Sequence, residues 1–436
     1  MRLSLKLKVN SISTNMGFAQ ARLLISLIGF ALYVQSCNSP NADALYTEAE
    51  SFQEKREYQK ALKMYKKAAD AGHSLAMNEI GWMYERGEGV TIDYKIAMEW
   101  YQKAADAGCA AAMNNIGFMH DNGEGVKENN REAIKWYKKA YYAGNVNAIY
   151  NIGWMYAHGE GVGQNFPRAM EYYQKAAKKG NGSAMNNIAW MYQHGQGVSV
   201  DYSKAMKWYN KAAKLGVSDA IFNIGFMYGE GEGVNVDYQK AMEWYQKAAK
   251  ADNAGAMRNI AWLYQYGLGV NEDDSIAIEW YEKSANLGDA VGQFNLGSMY
   301  LNGEGVDVNY PKAMEYFERA ANTKYDQAMN YLGWMYEKGL GVSIDYQKAM
   351  EWYQMAVDAG NSDGMNNIGW MYQNGEGVTM DFQKAMEWYQ RAADGGSVEA
   401  MNNIAIMYEK GMGVKKDIKK AKEWNKKAEA SEISSN

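Results

Sequence analysis

At 436 residues, an ordinary globular chain would divide into two or three domains; 44 glycines against 3 prolines fit helices punctuated by glycine loops and exclude a β-sandwich or a disordered linker. Four of the 46 basic residues (Arg2, Lys6, Lys8 and Arg22) fall within residues 1–36, which hold no acid, so the rest sets 42 bases against 51 acids, a charge near −9. No basic block stands out after residue 36, so nucleic acid is not an expected partner, and two cysteines with four histidines supply neither a disulfide framework nor a zinc set.

The first element is a 12-residue uncharged apolar run, Leu23 to Val34, preceded by Arg22 and earlier basic residues. It is short for a membrane span and has the proportions of a secretory signal. The stretch Leu32-Tyr33-Val34-Gln35-Ser36-Cys37 resembles a bacterial lipoprotein box. Val34, Ser36 and Cys37 match that pattern, whereas Gln35 departs from its usual small residue. The resemblance implies a signal peptide over 1–36, lipidation at Cys37 and a polar tether over 37–43. Simple cleavage with an incidental Cys37, and retention as a membrane anchor, are the alternatives. Met16 is a second candidate start.

From Gly87-Glu88-Gly89-Val90 to Gly411-Met412-Gly413-Val414, the pattern Gly-x-Gly-Val occurs ten times, every 36 residues, without insertion. A fixed period of this length specifies a stacked repeat array instead of a single core. The repeats run 74–109, 110–145, 146–181, 182–217, 218–253, 254–289, 290–325, 326–361, 362–397 and 398–433.

In repeat 1, Ala76, Ile80, Gly81 and Tyr84 share one face of a helix, here helix A. Gly87 and Gly89 stop it, the former as a left-handed C-terminal cap, and Val90 plugs the loop. Asp93 caps the next helix, helix B. Its column reads Asp or Asn in all ten repeats. Helix B carries Ala97, Trp100, Tyr101 and Ala104, and its Ala97 column has no exception. Small residues mark close helix approach with aromatics filling beside them. All 14 tryptophans fall in two columns, eight with Trp100 and six with Trp82, which is the pattern of packing.

These features resemble the Sel-1-like repeat family, a relative of the tetratricopeptide repeat. The matching residues are Ala76, Ile80-Gly81-x-Met83-Tyr84, the Gly-x-Gly-Val loop, Asp93-Tyr94-x-x-Ala97 and Trp100-Tyr101-x-x-Ala104-Ala105. The resemblance implies an all-α, right-handed α-solenoid superhelix of antiparallel helix pairs, acting as a scaffold for a protein or peptide partner. Residues 44–73 match helix B through Tyr58, Ala61, Tyr65 and Ala68 but lack the glycine loop. They read as a divergent tetratricopeptide-like N-terminal cap. At the other end Asn425 and Glu429 replace apolar or small residues among several lysines. This is the polar end face that a solenoid needs, with a lysine-rich binding patch as the alternative.

Asn78, Trp82 and Glu85 define a second stripe on helix A, which the resemblance places on the concave face. The Asn78 column is asparagine at both ends, but Tyr150, Phe222, Arg258 and Phe294 interrupt its centre. With Trp154, Trp190, Phe226 and Trp262 they would form an aromatic groove with one cation, the residue types that anchor interfaces. The adjacent column includes Asn151, Asn187, Asn223 and Asn259, matching a peptide-binding asparagine of tetratricopeptide grooves. Asparagines that bond neighbouring repeats and aromatics that fill volume are the competing reading. His158 and His194 sit at exposed loop edges.

The function expected is a non-catalytic adaptor without cofactor or metal, in the cell envelope as a lipid-anchored or secreted protein. It would contact a membrane only through its N-terminus. An endoplasmic-reticulum quality-control adaptor is the alternative, supported only by the sequon Asn181-Gly182-Ser183. A hydrolase is disfavoured, because the cysteine pairs of cysteine-rich relatives are missing.

Overall fold

A computed structural model describes residues 40–435, and the expectations for Cys37 and residues 1–36 lie outside them. The described residues form 22 helices and no strand. They fall in two compact units divided between Leu215 and Gly216. The first contains the N-terminal pair (Pro40–Glu54 and Tyr58–Asp70) and repeats 1–4; the second contains repeats 5–10. Within each unit, every helix A packs on helix B of its own repeat, and helix B packs on the following helix A. The architecture is an all-α solenoid of helix pairs.

Local chemistry sets the helix limits. In repeat 1, helix A is Ser74–Arg86 and helix B is Tyr94–Asp106. Gly87 ends helix A at φ 73°, its N–H donating to the Met83 carbonyl. This left-handed conformation carries no Cβ penalty in glycine. Asp93 then accepts from the Lys95 and Ile96 amides at 3.0 Å. The equivalent Asp or Asn caps helix B in every later repeat. Backbone bonds such as Asp93 N–H to Tyr84 carbonyl, 2.9 Å, close the loop.

The second loop glycine acts between repeats. A Cβ on Gly89 would lie 2.7 Å from Tyr58 Cβ, at the start of the preceding helix B. The same approach recurs at Gly125 against Tyr94 and at Gly269 against Tyr238. The loop therefore sets repeat spacing as well as closing its own helix pair.

Inside each pair, Gly81 faces the Tyr101 ring, where a Cβ would stand 2.7 Å away. Tyr101, Ala97 and Ala104 are fully buried. Ala241, the equivalent of Ala97 in repeat 5, is also fully buried. Ala241→Leu is expected to overpack this contact, lowering stability by about 1–3 kcal/mol in chemical denaturation; an unchanged midpoint would contradict the close packing. The helix-B tryptophans pack at the edge of the cores, and all but Trp352 carry a lysine or arginine three residues on, as Trp136 does with Lys139 at 3.5 Å.

Candidate protein-binding face

Two hydrogen-bond networks frame the helix-A face. The first joins most of the buried helix-B tyrosines to the Glu85 column, sixteen residues earlier. Tyr101 O–H donates to Glu85 at 2.6 Å, Tyr281 to Gln265 at 2.9 Å and Tyr353 to Glu337 at 2.6 Å. Burial, reinforced by the Glu85 charge, pushes the Tyr101 phenol far above its usual range. The Glu85 column, expected on the groove stripe, thus turns inward: Gln193, Leu301 and Glu337 are all buried.

The second network is an asparagine ladder between repeats. Asn115 Nδ2 donates to Asn78 Oδ1 at 3.1 Å and Asn151 to Asn114 at 3.0 Å. In the second unit Asn367 donates to Asn330 and Asn403 to Asn366, each at 2.9 Å. Members of the same column also bond the buried tyrosines, as Asn187 does with Tyr173 and Asn259 with Tyr245.

The expected groove residues fall in both compact units. In the first, Asn187 donates to the Tyr150 hydroxyl at 3.4 Å, and Tyr150 lies 5.7 Å from the Tyr173 ring. Trp154 stacks on His158 at 4.2 Å, and Trp190, 43% exposed, stacks on His194 at 3.8 Å. Those histidines are exposed and engaged with tryptophan. In the second unit Asn223 is buried. Phe222 lies 5.6 Å from the Tyr245 ring and 6.4 Å from Phe226. Phe294 packs among Phe317, Tyr325 and Tyr331, its contact with Tyr331 edge-on at 5.1 Å.

Four expected residues come together. Phe226, Arg258, Asn259 and Trp262 line a cavity of about 230 Å³ spanning repeats 5–7. A water occupies ~30 Å³ of liquid, so the space holds several waters or a side chain. Tyr245, Gly229 and Asn295 complete its polar and open sides. Here the asparagine ladder has no acceptor in the preceding repeat. Phe222 carries no polar side-chain atom and Arg258 carries only donors, so Asn259 and Asn295 keep hydrogen-bonding capacity for the cavity. Arg258 Nη1 reaches Asp289 at 3.2 and 3.4 Å. The Tyr245 phenol is pushed up to about 12, chiefly by burial, so it stays a proton donor at neutral pH.

Asn295 belongs to the asparagine column read from the sequence, whereas Gly229 and Tyr245 join the site only in the structure. Gly229 was detectable, since it breaks a column otherwise rich in Glu and Gln. Chemically the site offers N–H and O–H donors between aromatic walls, the means to hold an acceptor group with an apolar stem. Among the described residues no cluster of three His, Cys, Asp or Glu side chains is placed to hold a metal ion.

Helix pairs of constant length, stacked through a glycine contact and varied on one helix face, define a repeat scaffold of the protein-interaction class. The Sel1 repeat profile matches residues 51–73, 74–109, 110–145, 146–181, 182–217, 218–253, 254–289, 290–322, 326–361, 362–397 and 398–430. The chain belongs to the Sel1 repeat family. Among solved structures it is similar to a protective antigen present in uropathogenic Escherichia coli strains that displays an SLR fold. The two are 30% identical with a TM-score of 0.54, over 92% of this chain and 89% of that one. It is also similar to a Sel1 repeat protein from Oxalobacter formigenes, 28% identical with a TM-score of 0.50, over 71% of this chain and 89% of that one. No curated protein matches it.

Proposed function

We propose that the protein is a non-catalytic adaptor that holds a protein or peptide partner on the helix-A face. The cavity of repeats 5–7 carries this reading, because it joins Phe226, Trp262 and Arg258 in one opening. Aromatic and arginine side chains are the residue types that dominate interface energetics once a partner buries them. The Tyr150, Trp154, Trp190 and Phe222 positions extend the variable face in their own repeats. Co-purification from native membranes tests the reading. Phe222→Ala/Arg258→Ala is expected to lose the wild-type partners while keeping its helical circular dichroism; retention of the same partners would refute docking at this site.

The export reading belongs to the same proposal. The E. coli relative is described as a protective antigen, a description that suits a protein of the cell envelope, and both solved relatives come from bacteria. This favours an envelope adaptor, lipid-anchored through Cys37 or secreted, over an endoplasmic-reticulum one. Mass analysis of the mature N-terminus is expected to show a lipid-modified Cys37. An unmodified Cys37 thiol would leave the secreted form.

A further inference from the structure

We infer that the cavity of repeats 5–7 receives a glutamate side chain of the partner, which takes the place that the array's own Glu85-column side chain occupies in other repeats. This inference rests on the adaptor reading and names the chemistry of its central subsite.

The repeats themselves show what belongs in the space. In repeats 1 and 8 a glutamate at this position accepts from the buried tyrosine at 2.6 Å. Repeats 4 and 6 use glutamine for the same bond. Three repeats lack an acceptor in this column, and each differs. Repeat 7 removes both partners, with Leu301 facing a helix-B phenylalanine, Phe317. Repeat 3 has Ala157, whose Cβ remains in place, and its Tyr173 bonds Asn187. Repeat 5 keeps the tyrosine, and Tyr245 bonds Asn259 as Tyr173 bonds Asn187, but it has Gly229, so the whole side chain is missing. A Cβ built on Gly229 would meet only Tyr245 Oη at 3.5 Å and Ala241 Cβ at 3.9 Å, ordinary contact distances. The glycine is therefore not enforced by crowding; its helical position is one where glycine costs stability relative to glutamine.

Charge distinguishes glutamate from glutamine as the incoming group. Arg258 replaces the asparagine found at the ends of its column and lines the same cavity. Its partner Asp289 is already served by the Gly292 amide at 2.7 Å and the Ser284 hydroxyl at 3.1 Å. A guanidinium has five N–H donors, so Arg258 can hold Asp289 and a second carboxylate together. The entering carboxylate would accept from Arg258, Tyr245 and the Asn259 or Asn295 amide, with its methylenes against Phe226 and Trp262. Glu230 also lines the cavity but is exposed at its rim, where solvent screens its repulsion.

The test is selection from random synthetic peptide libraries, one C-terminally amidated and one free-acid, on the full chain. From the amidated library the wild type is expected to enrich glutamate at one position. Changing that glutamate to glutamine in a selected peptide is expected to weaken binding about tenfold or more, as loss of a charge-assisted bond does. Gly229→Gln fills the space from within and is expected to melt at or above the wild-type temperature while losing the glutamate preference. Arg258→Gln is expected to bind selected peptides with glutamate and glutamine equally. Peptides recovered only from the free-acid library would overturn the inference in favour of a terminal carboxylate. Equal enrichment by Gly229→Gln, or wild-type peptides without an acidic position, would also overturn it while leaving the adaptor reading standing. If the wild type binds no peptide sensitive to Phe222→Ala, the adaptor reading of this face fails with it.

Discussion

Tyr353→Ala is expected to cost repeat 8 about 3–5 kcal/mol, the range for emptying a large buried aromatic site. Tyr353 is fully buried, and its hydroxyl donates to Glu337, itself only 5% exposed. Tyr353→Phe keeps the ring and removes only that donor, so it is expected to cost about 1–3 kcal/mol, the desolvation cost of a buried acceptor left short of a partner. Glu337 retains its contact with Lys338, which places the loss toward the lower end. The reciprocal change is diagnostic. Phe317→Tyr puts a hydroxyl against Leu301 and should destabilise repeat 7, whereas Phe317→Tyr/Leu301→Gln restores the pairing of other repeats. Their coupling can be read in a double-mutant cycle. Hydrogen exchange of the affected helices is the suitable measurement, because unfolding of a repeat array is local and need not be two-state. Additive effects in the cycle would contradict the tyrosine–acceptor pairing.

Gly125→Ala is the second large effect, and Gly108→Ala is its control. Both glycines are left-handed, at φ 70° and 85°. An L-residue there costs about 1–2 kcal/mol. At Gly108 nothing lies within 4 Å of the new Cβ, so that is the whole expected loss. At Gly125 the Cβ would stand 2.6 Å from the Tyr94 carbonyl oxygen and 2.7 Å from its carbon, backbone atoms of the preceding repeat. Separating the repeats adds about 1–3 kcal/mol. Hydrogen exchange in the helices flanking each glycine should show Gly125→Ala the less stable by that margin. Equal losses would mean that the second loop glycine serves only its own turn.

Much of the fold was legible because the repeat is its own alignment. Gly87 and Asp93 mark the end of one helix and the start of the next, and both do so through local backbone chemistry that residue type specifies. The face of Glu85 was harder to read. At 3.6 residues per turn, Glu85 falls within about 20° of Asn78 and only about 40° from Gly81, which abuts Tyr101. A short side chain there would stay on the outer stripe, but a glutamate is long enough to turn to the tyrosine hydroxyl. The pairing had left a trace, since Leu301 and Phe317 change together sixteen residues apart. The role of Gly89 against Tyr58 left none, because a column without exceptions fits a turn and an inter-repeat contact equally well. In the binding site, the breaks at Phe222 and Arg258 were visible as residues out of column. Gly229 also stands out of column, but its contribution is the absence of a side chain, which acquires meaning only beside Tyr245.

The claim that a partner docks on the helix-A face is tested most directly by site-specific photocrosslinking in cells that express the native chain. Benzoylphenylalanine in place of Phe226 lies in the cavity wall, whereas in place of Gln246 it lies exposed on helix B of the same repeat. The expected result is a discrete crosslinked partner from position 226 and none from position 246. A partner captured from position 246 and absent from position 226 would place the interface on the opposite helix and contradict the account.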